Sequence, residues 1–88
     1  MFYVYFLRSL KNSRIYVGMT EKESYERLTE HNHGKNKWAR ENKPFVLMYY
    51  ESYVCKTDAL RREKFYKIGI GRQIRDAIID LMPVDGLC

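Results

Sequence analysis

The sequence lacks long apolar runs, and it has only two cysteines. The apolar stretch Phe2 to Leu7 is far shorter than the roughly 20 residues that span a bilayer, and no basic leader precedes it. We therefore expect no signal sequence and no membrane segment. Cys55 and Cys88 form no CxxC motif, and no histidine pair at metal-ligand spacing accompanies them, so free thiols in the cytoplasm are the simplest interpretation.

The chain also lacks internal repeats and low-complexity tracts, and its 88 residues suit one small domain. Hydrophobic residues make up 45% and charged residues 31%, a composition typical of folded rather than disordered chains. We expect a single domain over residues 1–82. The last residues, 83–88, follow the final predicted helix and are expected to fray.

Positive charge is concentrated rather than evenly spread. The net charge is +5, and residues 56–75 carry seven basic side chains against Asp58 and Glu63. The chain also has 13 aromatic residues. Basic and aromatic side chains together favour nucleic-acid binding, through phosphate neutralisation and base stacking. A merely solvated basic surface is the alternative.

The first two strands are predicted to form a β-hairpin. Phe2 to Leu7 and Ile15 to Met19 are rich in aromatic and β-branched residues, and a turn-forming segment separates them. If Leu10 and Lys11 form the tip, Tyr5 lies opposite Tyr16 on the same face of the sheet.

Residues 20–50 predict a helix and a third strand. A capping-box pattern at Thr20 starts a helix that runs to about Gly34 and places Arg27 and His31 on one face. Residues 35–44 favour a loop or a short helical turn. The apolar run of residues 45–50 is typical of a central strand that is covered on both faces.

The last part of the chain predicts two helices. One begins at Thr57-Asp58 and ends near Lys67, with Glu63 on the side that follows the core spacing of Ala59, Tyr66 and Ile70. Gly69 and Gly71 then interrupt the helical pattern. Apolar residues at helical spacing define the inner face of the final helix: Ile74, Ala77, Ile78 and Leu81. The predicted fold is α/β (α+β), a three-stranded antiparallel sheet flanked by helices in the order β-β-α-β-α-α.

Two tripeptides, Tyr3-Val4-Tyr5 and Tyr16-Val17-Gly18, stand about ten residues apart in the predicted hairpin. Further motifs follow them in order: Arg27 in Glu-Arg-Leu, His31 in Glu-His-Asn, Tyr49-Tyr50-Glu51, and Ala59 to Lys64. In this combination the chain resembles the GIY-YIG nuclease domain family, in its small standalone form. Tyr3 stands where the family has glycine, and Val4 and Val17 replace isoleucines.

The resemblance implies a divalent-metal-dependent DNA endonuclease that hydrolyses phosphodiester bonds by a one-metal mechanism, with a role in repair or recombination. It implies Mg²⁺ or Mn²⁺ as the cofactor and Glu63 as the metal ligand. The other catalytic residues that it implies are Tyr5, Tyr16, Arg27 and His31. Arg27 would hold the scissile phosphate, and Tyr16 would serve as the base where nearby cations favour its phenolate.

Basic and aromatic residues around this site are expected to hold DNA: Lys35, Lys37, Trp38, Arg40, Lys43, Arg61, Arg62, Lys64 and Lys67. Phosphate contacts position a substrate without reading its sequence. Specificity would then come from substrate shape, from a partner protein or from a second copy of the chain.

Alternative interpretations of the same residues remain open. Tyr5 and Tyr16 would also suit a cross-strand aromatic pair, and Glu63 would suit a structural ion pair with Arg62, Lys67 or Arg27. The chain as a whole would then be a non-catalytic nucleic-acid-binding module, or an interaction subunit that binds another protein.

Overall fold

The computed structural model describes residues 1–21, 26, 28, 29, 32, 33 and 37–82. The strands and helices follow the predicted order β-β-α-β-α-α: β1 (Phe2–Ser9), β2 (Ile15–Thr20), α1 (Lys37–Asn42), β3 (Phe45–Tyr53), α2 (Lys56–Lys67) and α3 (Gly69–Asp80). The predicted fold class is thereby confirmed. The helix predicted over residues 20–34 lies largely outside the described residues, and α1 occupies the segment predicted as a loop or a short helical turn.

The sheet has the strand order β2-β1-β3, with both pairs antiparallel. β1 is the central strand, and Val4 to Leu7 are completely buried because both faces of this strand are covered. The prediction of a central third strand is therefore wrong, since β3 lies at an edge. The apolar run in β3 has another cause: this edge strand is covered on both faces, with Leu47 on one and Met48 on the other, and a register shift at Met48 lets Met48 and Tyr49 pack on the same face.

Each face of the sheet has its own hydrophobic core. On one face, Val4 and Phe6 pack with Ala59 and Tyr66 of α2 and with Ile79 of α3. On the opposite face, a second cluster joins the sheet to α1: Tyr5, Leu7, Phe45, Leu47 and Ala39. The alternation of side chains along a strand explains the division, because neighbouring residues of β1 point to opposite faces.

The register of the hairpin differs from the prediction. Tyr5 pairs with Gly18, and Tyr16 pairs with Leu7, so the two tyrosines are not opposite each other. The turn is longer than the predicted two residues: Ser13 has a φ of 62° and donates its N–H to the carbonyl oxygen of Ser9 at 2.9 Å. The pairing is shifted by two residues, an even number, so both tyrosines stay on the predicted face.

The helix break near Gly69 is confirmed, but the predicted inner face of α3 is wrong. Ile68 is extended between the two helices, and Gly69 has a φ of 56°. Ile74 and Leu81 are exposed, whereas Gly71 and Ile79 are buried. Ala77 is also exposed and Ile78 is half-buried.

Gly71 explains the orientation of α3. A Cβ atom at this position would lie 2.6 Å from the carbonyl carbon of Phe65, so α2 and α3 approach each other where only glycine fits. This contact turns Gly71, Arg75 and Ile79 towards the rest of the protein. Within the described ranges, no helix combines the length and the apolar composition needed to cross a membrane.

The packing of Tyr5 over Gly18 yields a first prediction. A Cβ atom at residue 18 would lie 2.6 Å from Cζ of Tyr5 and 2.9 Å from Cε1 of Tyr16. We expect Gly18→Ala to lower the free energy of unfolding by about 2 kcal/mol, the cost of overpacking a core. This loss outweighs the gain of roughly 0.5–1 kcal/mol that alanine brings to a strand. Urea denaturation measures the difference.

The Tyr5→Ala background provides the control. Removing the ring opens the space that the new methyl group needs, so Gly18→Ala should cost much less there than in the wild-type protein. Equal costs in both backgrounds would show that Tyr5 does not exclude a side chain at residue 18.

Candidate active site

Tyr5 and Tyr16 lie together on one face of the sheet. Their ring centroids are 6.1 Å apart and their planes are tilted by 38°, and both rings pass beside Gly18. Tyr5 is completely buried in the central strand, whereas Tyr16 is half-buried in the edge strand β2. Tyr16 is therefore the member of the pair that a ligand reaches first.

Glu63 lies on α2, which covers the opposite face of the sheet. Its side chain is 20% exposed, and its Oε2 lies 3.3 Å from Nζ of Lys67, one helical turn further on. The carboxylate is thus at the border of the core rather than within it. Of the ion-pair partners considered from the sequence, Lys67 is observed at this distance.

A cleft lies at the edge of the sheet, on the side that α2 and α3 cover. It has a volume of about 390 Å³ and is lined by residues of β2, the end of α2 and α3: Ile15, Tyr16, Val17, Lys67, Arg72 and Arg75. Tyr16 and Lys67 share this cleft, and Lys67 bonds to Glu63. Tyr16 thus borders the cleft from β2, while its ring packs with Tyr5 on the face of the sheet opposite α2.

Several predicted site residues lie outside the described residues: Arg27, His31 and Lys35, together with the side chain of Trp38. The other predicted DNA-binding residues lie on two helices or, for Lys43, directly after the first of them. Lys37, Arg40 and Lys43 are exposed at α1 on the face that carries Tyr5, whereas Arg61 and Lys64 are exposed on α2 across the sheet. The predicted basic surface is thus divided between the two faces.

A half-buried carboxylate cluster, centred on Glu51, holds α2 against β3. Tyr49 donates to Oε2 of Glu51 at 2.8 Å, Tyr53 donates to Oε1 at 2.5 Å, and Tyr66 also donates to Oε2. Nε of Arg62 lies 3.4 Å from Oε1, and its guanidinium carbon is 4.6 Å from the ring centroid of Tyr66. Arg62, predicted to bind DNA, is thus in contact with this cluster.

The cluster changes the proton affinity of its members. Burial alone would raise the pKa of Glu51, but hydrogen bonds from Tyr53, Tyr66 and Tyr49 and the charge of Arg62 bring it below its usual value. Burial and then the hydrogen bond to Glu51 raise the pKa of Tyr53 to about 12, and the same causes raise that of Tyr66 to about 12. The native state therefore favours a charged carboxylate and neutral phenols.

The sequence pattern indicated Tyr49 and Glu51 only as part of a motif, and it did not predict the hydrogen-bonded cluster around Glu51. A signal was present: Tyr49, Glu51 and Tyr53 alternate along β3, which places them on one face of the strand. Arg72 and Arg75 were also missed as members of the cleft. Their position depends on the contact at Gly71, and the sequence pattern presents that glycine as a helix breaker.

A divalent metal ion is compatible with Glu63 but would have few other protein ligands. Within the described part of the chain, no three His, Cys, Asp or Glu side chains form a cluster that could hold a metal. Mg²⁺ is commonly bound by one or two carboxylates, with water and substrate phosphates as its remaining ligands. The single carboxylate of Glu63 meets the minimum of that pattern, and in this structure it is paired with Lys67.

Comparisons with known proteins agree on the family of the chain. The family model of the GIY-YIG catalytic domain matches residues 1–69. A UPF0213 protein of Staphylococcus haemolyticus is 39% identical over 62 residues, which cover 69% of this chain and 73% of that protein. A UPF0213 protein of Bacillus pumilus is 32% identical over 84 residues, 94% of this chain and 83% of that protein. No solved structure matches the chain at comparable significance.

The sheet order, the paired tyrosines at Gly18 and the family match lead to one assignment. The protein belongs to the GIY-YIG family of endonuclease domains. The matched region ends at Gly69, so it includes β1 to α2 and stops where α3 begins.

The Glu51 cluster yields a second prediction. In Glu51→Gln an amide replaces the acceptor of three hydroxyl groups and one guanidinium, so some donors lose their partner beneath α2. We expect the free energy of unfolding to fall by about 2 kcal/mol, within the range for hydrogen bonds to charged groups. Glu41→Gln is the matched control, because the Glu41 side chain is 61% exposed and its change should stay within about 0.5 kcal/mol. Equal losses would mean that the cluster does not stabilise the fold.

The tyrosines of the cluster yield a third prediction, on alkaline pH. An unfolded tyrosine ionises with a pKa of roughly 10, whereas Tyr53 and Tyr66 keep their protons to about 12 when folded. Above pH 10 the unfolded state therefore binds fewer protons than the folded state. The free energy of unfolding should consequently fall as the pH rises towards 12. Urea unfolding at pH 8.5 and 11 measures the fall.

Tyr53→Phe should lose less stability than the wild type between these two pH values, because it lacks one of the hydroxyl groups whose pKa is raised by folding. Tyr50→Phe, which changes an exposed tyrosine that pairs with Tyr3, should keep the full pH dependence. A fall of the same size in both variants would show that Tyr53 does not contribute to the pH dependence.

Proposed function

We propose that this protein is a divalent-metal-dependent DNA endonuclease that hydrolyses phosphodiester bonds, with Glu63 as its metal ligand. One observation carries the proposal: Tyr16 and Lys67 line the same cleft, and Lys67 lies 3.3 Å from Glu63. Two residues that the family resemblance implicates, one on a strand and one on a helix, therefore border the same cleft, Tyr16 directly and Glu63 through its partner Lys67.

The proposed roles follow from the positions of the side chains. Glu63 would hold the metal ion, which supplies charge stabilisation at the phosphate that is cleaved. Tyr16, beside the cleft, would orient the attacking water and, where nearby cations favour its phenolate, accept the proton of that water as the bond to the leaving oxygen breaks. Tyr5 is buried beside Tyr16 and would act as a positioning residue that fixes the phenol ring.

Lys67 has two roles in this proposal. Its ammonium group pairs with Glu63 and so adds positive charge beside the carboxylate that would hold the metal. Its remaining N–H donors would contact a phosphate oxygen of the substrate. Arg27 and His31 are retained in the proposal from the family resemblance, the first as a ligand of the scissile phosphate and the second as a phosphate contact or proton relay.

The finer parts of the proposal rest on the resemblance. They are Mg²⁺ or Mn²⁺ as the metal, DNA as the substrate, a one-metal mechanism, action in the cytoplasm, and structure-specific cleavage in repair or recombination. They also include one functional domain over residues 1–82, and specificity that comes from substrate shape, a partner protein or a second copy.

Cleavage assays test the proposal and give a fourth prediction. Purified protein is incubated with supercoiled plasmid and with labelled duplex, flap, branched and single-stranded oligonucleotides, in Mg²⁺, Mn²⁺ or EDTA. We expect cleavage that requires metal and that falls at least about 100-fold in Glu63→Gln, because a preorganised charge at the reacting phosphate is lost. Circular dichroism checks that the variant is folded.

Asp80→Asn is the matched control, because it also neutralises one carboxylate but lies at the exposed end of α3. It should cut like the wild type. Cleavage that persists in Glu63→Gln would reject Glu63 as the metal ligand. Binding of DNA without cleavage, on every substrate and with both metals, would instead favour the non-catalytic binding module.

A further inference from the structure

The cleft beside Tyr16 contains two arginines that the family match does not include. Arg72 and Arg75 lie on α3, whereas the matched region ends at Gly69. Together with Lys67 they give the cleft three cationic side chains. Ile15 and Val17 form apolar walls on the side of β2.

The fold turns one of these arginines inward. Gly71 contacts the backbone of Phe65, and Arg75 follows Gly71 by about one helical turn. Its side chain is only 13% exposed, although an arginine on a short surface helix normally extends into solvent. The contact between the two helices therefore holds a guanidinium group beside the cleft.

The neighbouring carboxylates do not use all of the donors in the cleft. Nε and Nη2 of Arg75 bind Oδ1 of Asp76 at 3.0 and 2.8 Å, and Lys67 binds Glu63 at 3.3 Å. The guanidinium of Arg72 has no ion pair or hydrogen bond with another described residue. Three cations thus face two carboxylates, and a guanidinium can present two parallel donors to a phosphate.

We propose that Lys67, Arg72 and Arg75 form a binding subsite for a backbone phosphate of the nucleic-acid substrate, next to the phosphate that is cleaved. The subsite deepens the proposed function and rests on it, because Tyr16 and Glu63 define where cleavage occurs. A neighbouring phosphate is the chemical group that suits this position: an anion with several acceptor oxygens, repeated along a chain that already passes Tyr16. The subsite fixes the register of the backbone and does not read its sequence.

Equilibrium binding without metal tests the subsite and gives a fifth prediction. Fluorescence anisotropy with labelled duplex and single-stranded oligonucleotides is measured in EDTA at several salt concentrations. We expect Arg72→Gln to weaken binding about 3- to 10-fold and to reduce the slope of log K against log salt by about one, the effect of one lost phosphate contact. Arg72→Lys should keep the slope but recover only part of the affinity, because an ammonium cannot bind in a bidentate manner.

Lys56→Gln is the matched control for charge. Lys56 is exposed at the start of α2, and Lys67 is at its end, about 16 Å away by the helical rise. Lys56→Gln should keep the wild-type slope of log K against log salt. Arg72 is exposed, so its replacement should leave the fold intact, as circular dichroism can check.

The outcomes separate this inference from the proposed nuclease. If Arg72→Gln and Lys56→Gln bind equally, with equal salt slopes, the subsite is rejected even where wild-type protein cuts DNA. If they differ as expected and the wild type does not cut, the subsite stands and the nuclease proposal fails. Absence of oligonucleotide binding by the wild type overturns the subsite. Competition by millimolar inorganic phosphate as effective as that by the oligonucleotide would also overturn it, in favour of a site for free phosphate.

Discussion

The carboxylate of Glu51 is the interaction on which the arrangement of the candidate site depends. Its side chain accepts hydrogen bonds from tyrosines of both β3 and α2, and Arg62 adds a positive charge above it. A half-buried carboxylate without such partners would be unfavourable, so β3 and α2 satisfy it only when they lie in one relative position. α2 in turn carries Glu63 and Lys67 to the edge of the sheet. The cluster thus fixes the helix on which the proposed metal ligand stands.

The hairpin shows which features of a fold a sequence pattern can predict. Alternating aromatic and β-branched residues place Tyr5 and Tyr16 on one face, because side chains alternate with a period of two. The partner of each residue depends on the length of the turn, and the left-handed conformation of Ser13 in a four-residue turn was not evident from the sequence. The face was therefore predicted correctly and the pairing was not.

The errors in β3 and α3 have a common origin. A continuous apolar run in β3 is compatible with a central strand, and it is also compatible with an edge strand whose register shifts at Met48. Gly71 is compatible with a helix break, and it is also compatible with a close contact between helices. Each pattern has two physical causes, and only tertiary packing distinguishes them. For the same reason the sequence indicated Glu63 and Tyr16 but did not indicate that Arg72 and Arg75 line the cleft beside them.

The contact at Gly71 also limits how far the two helices that line the cleft can move relative to each other. Ile68 is the only residue between α2 and α3, and the two helices touch again at Phe65, so this helix pair has little freedom to hinge. Lys67 at the end of one helix and Arg72 near the start of the next consequently keep a nearly constant spacing. The backbone that carries these cations therefore needs no reordering when a ligand binds, and only their exposed side chains lose rotamer freedom. The rigid helix pair fixes the positions from which the cationic side chains reach the cleft before any ligand arrives.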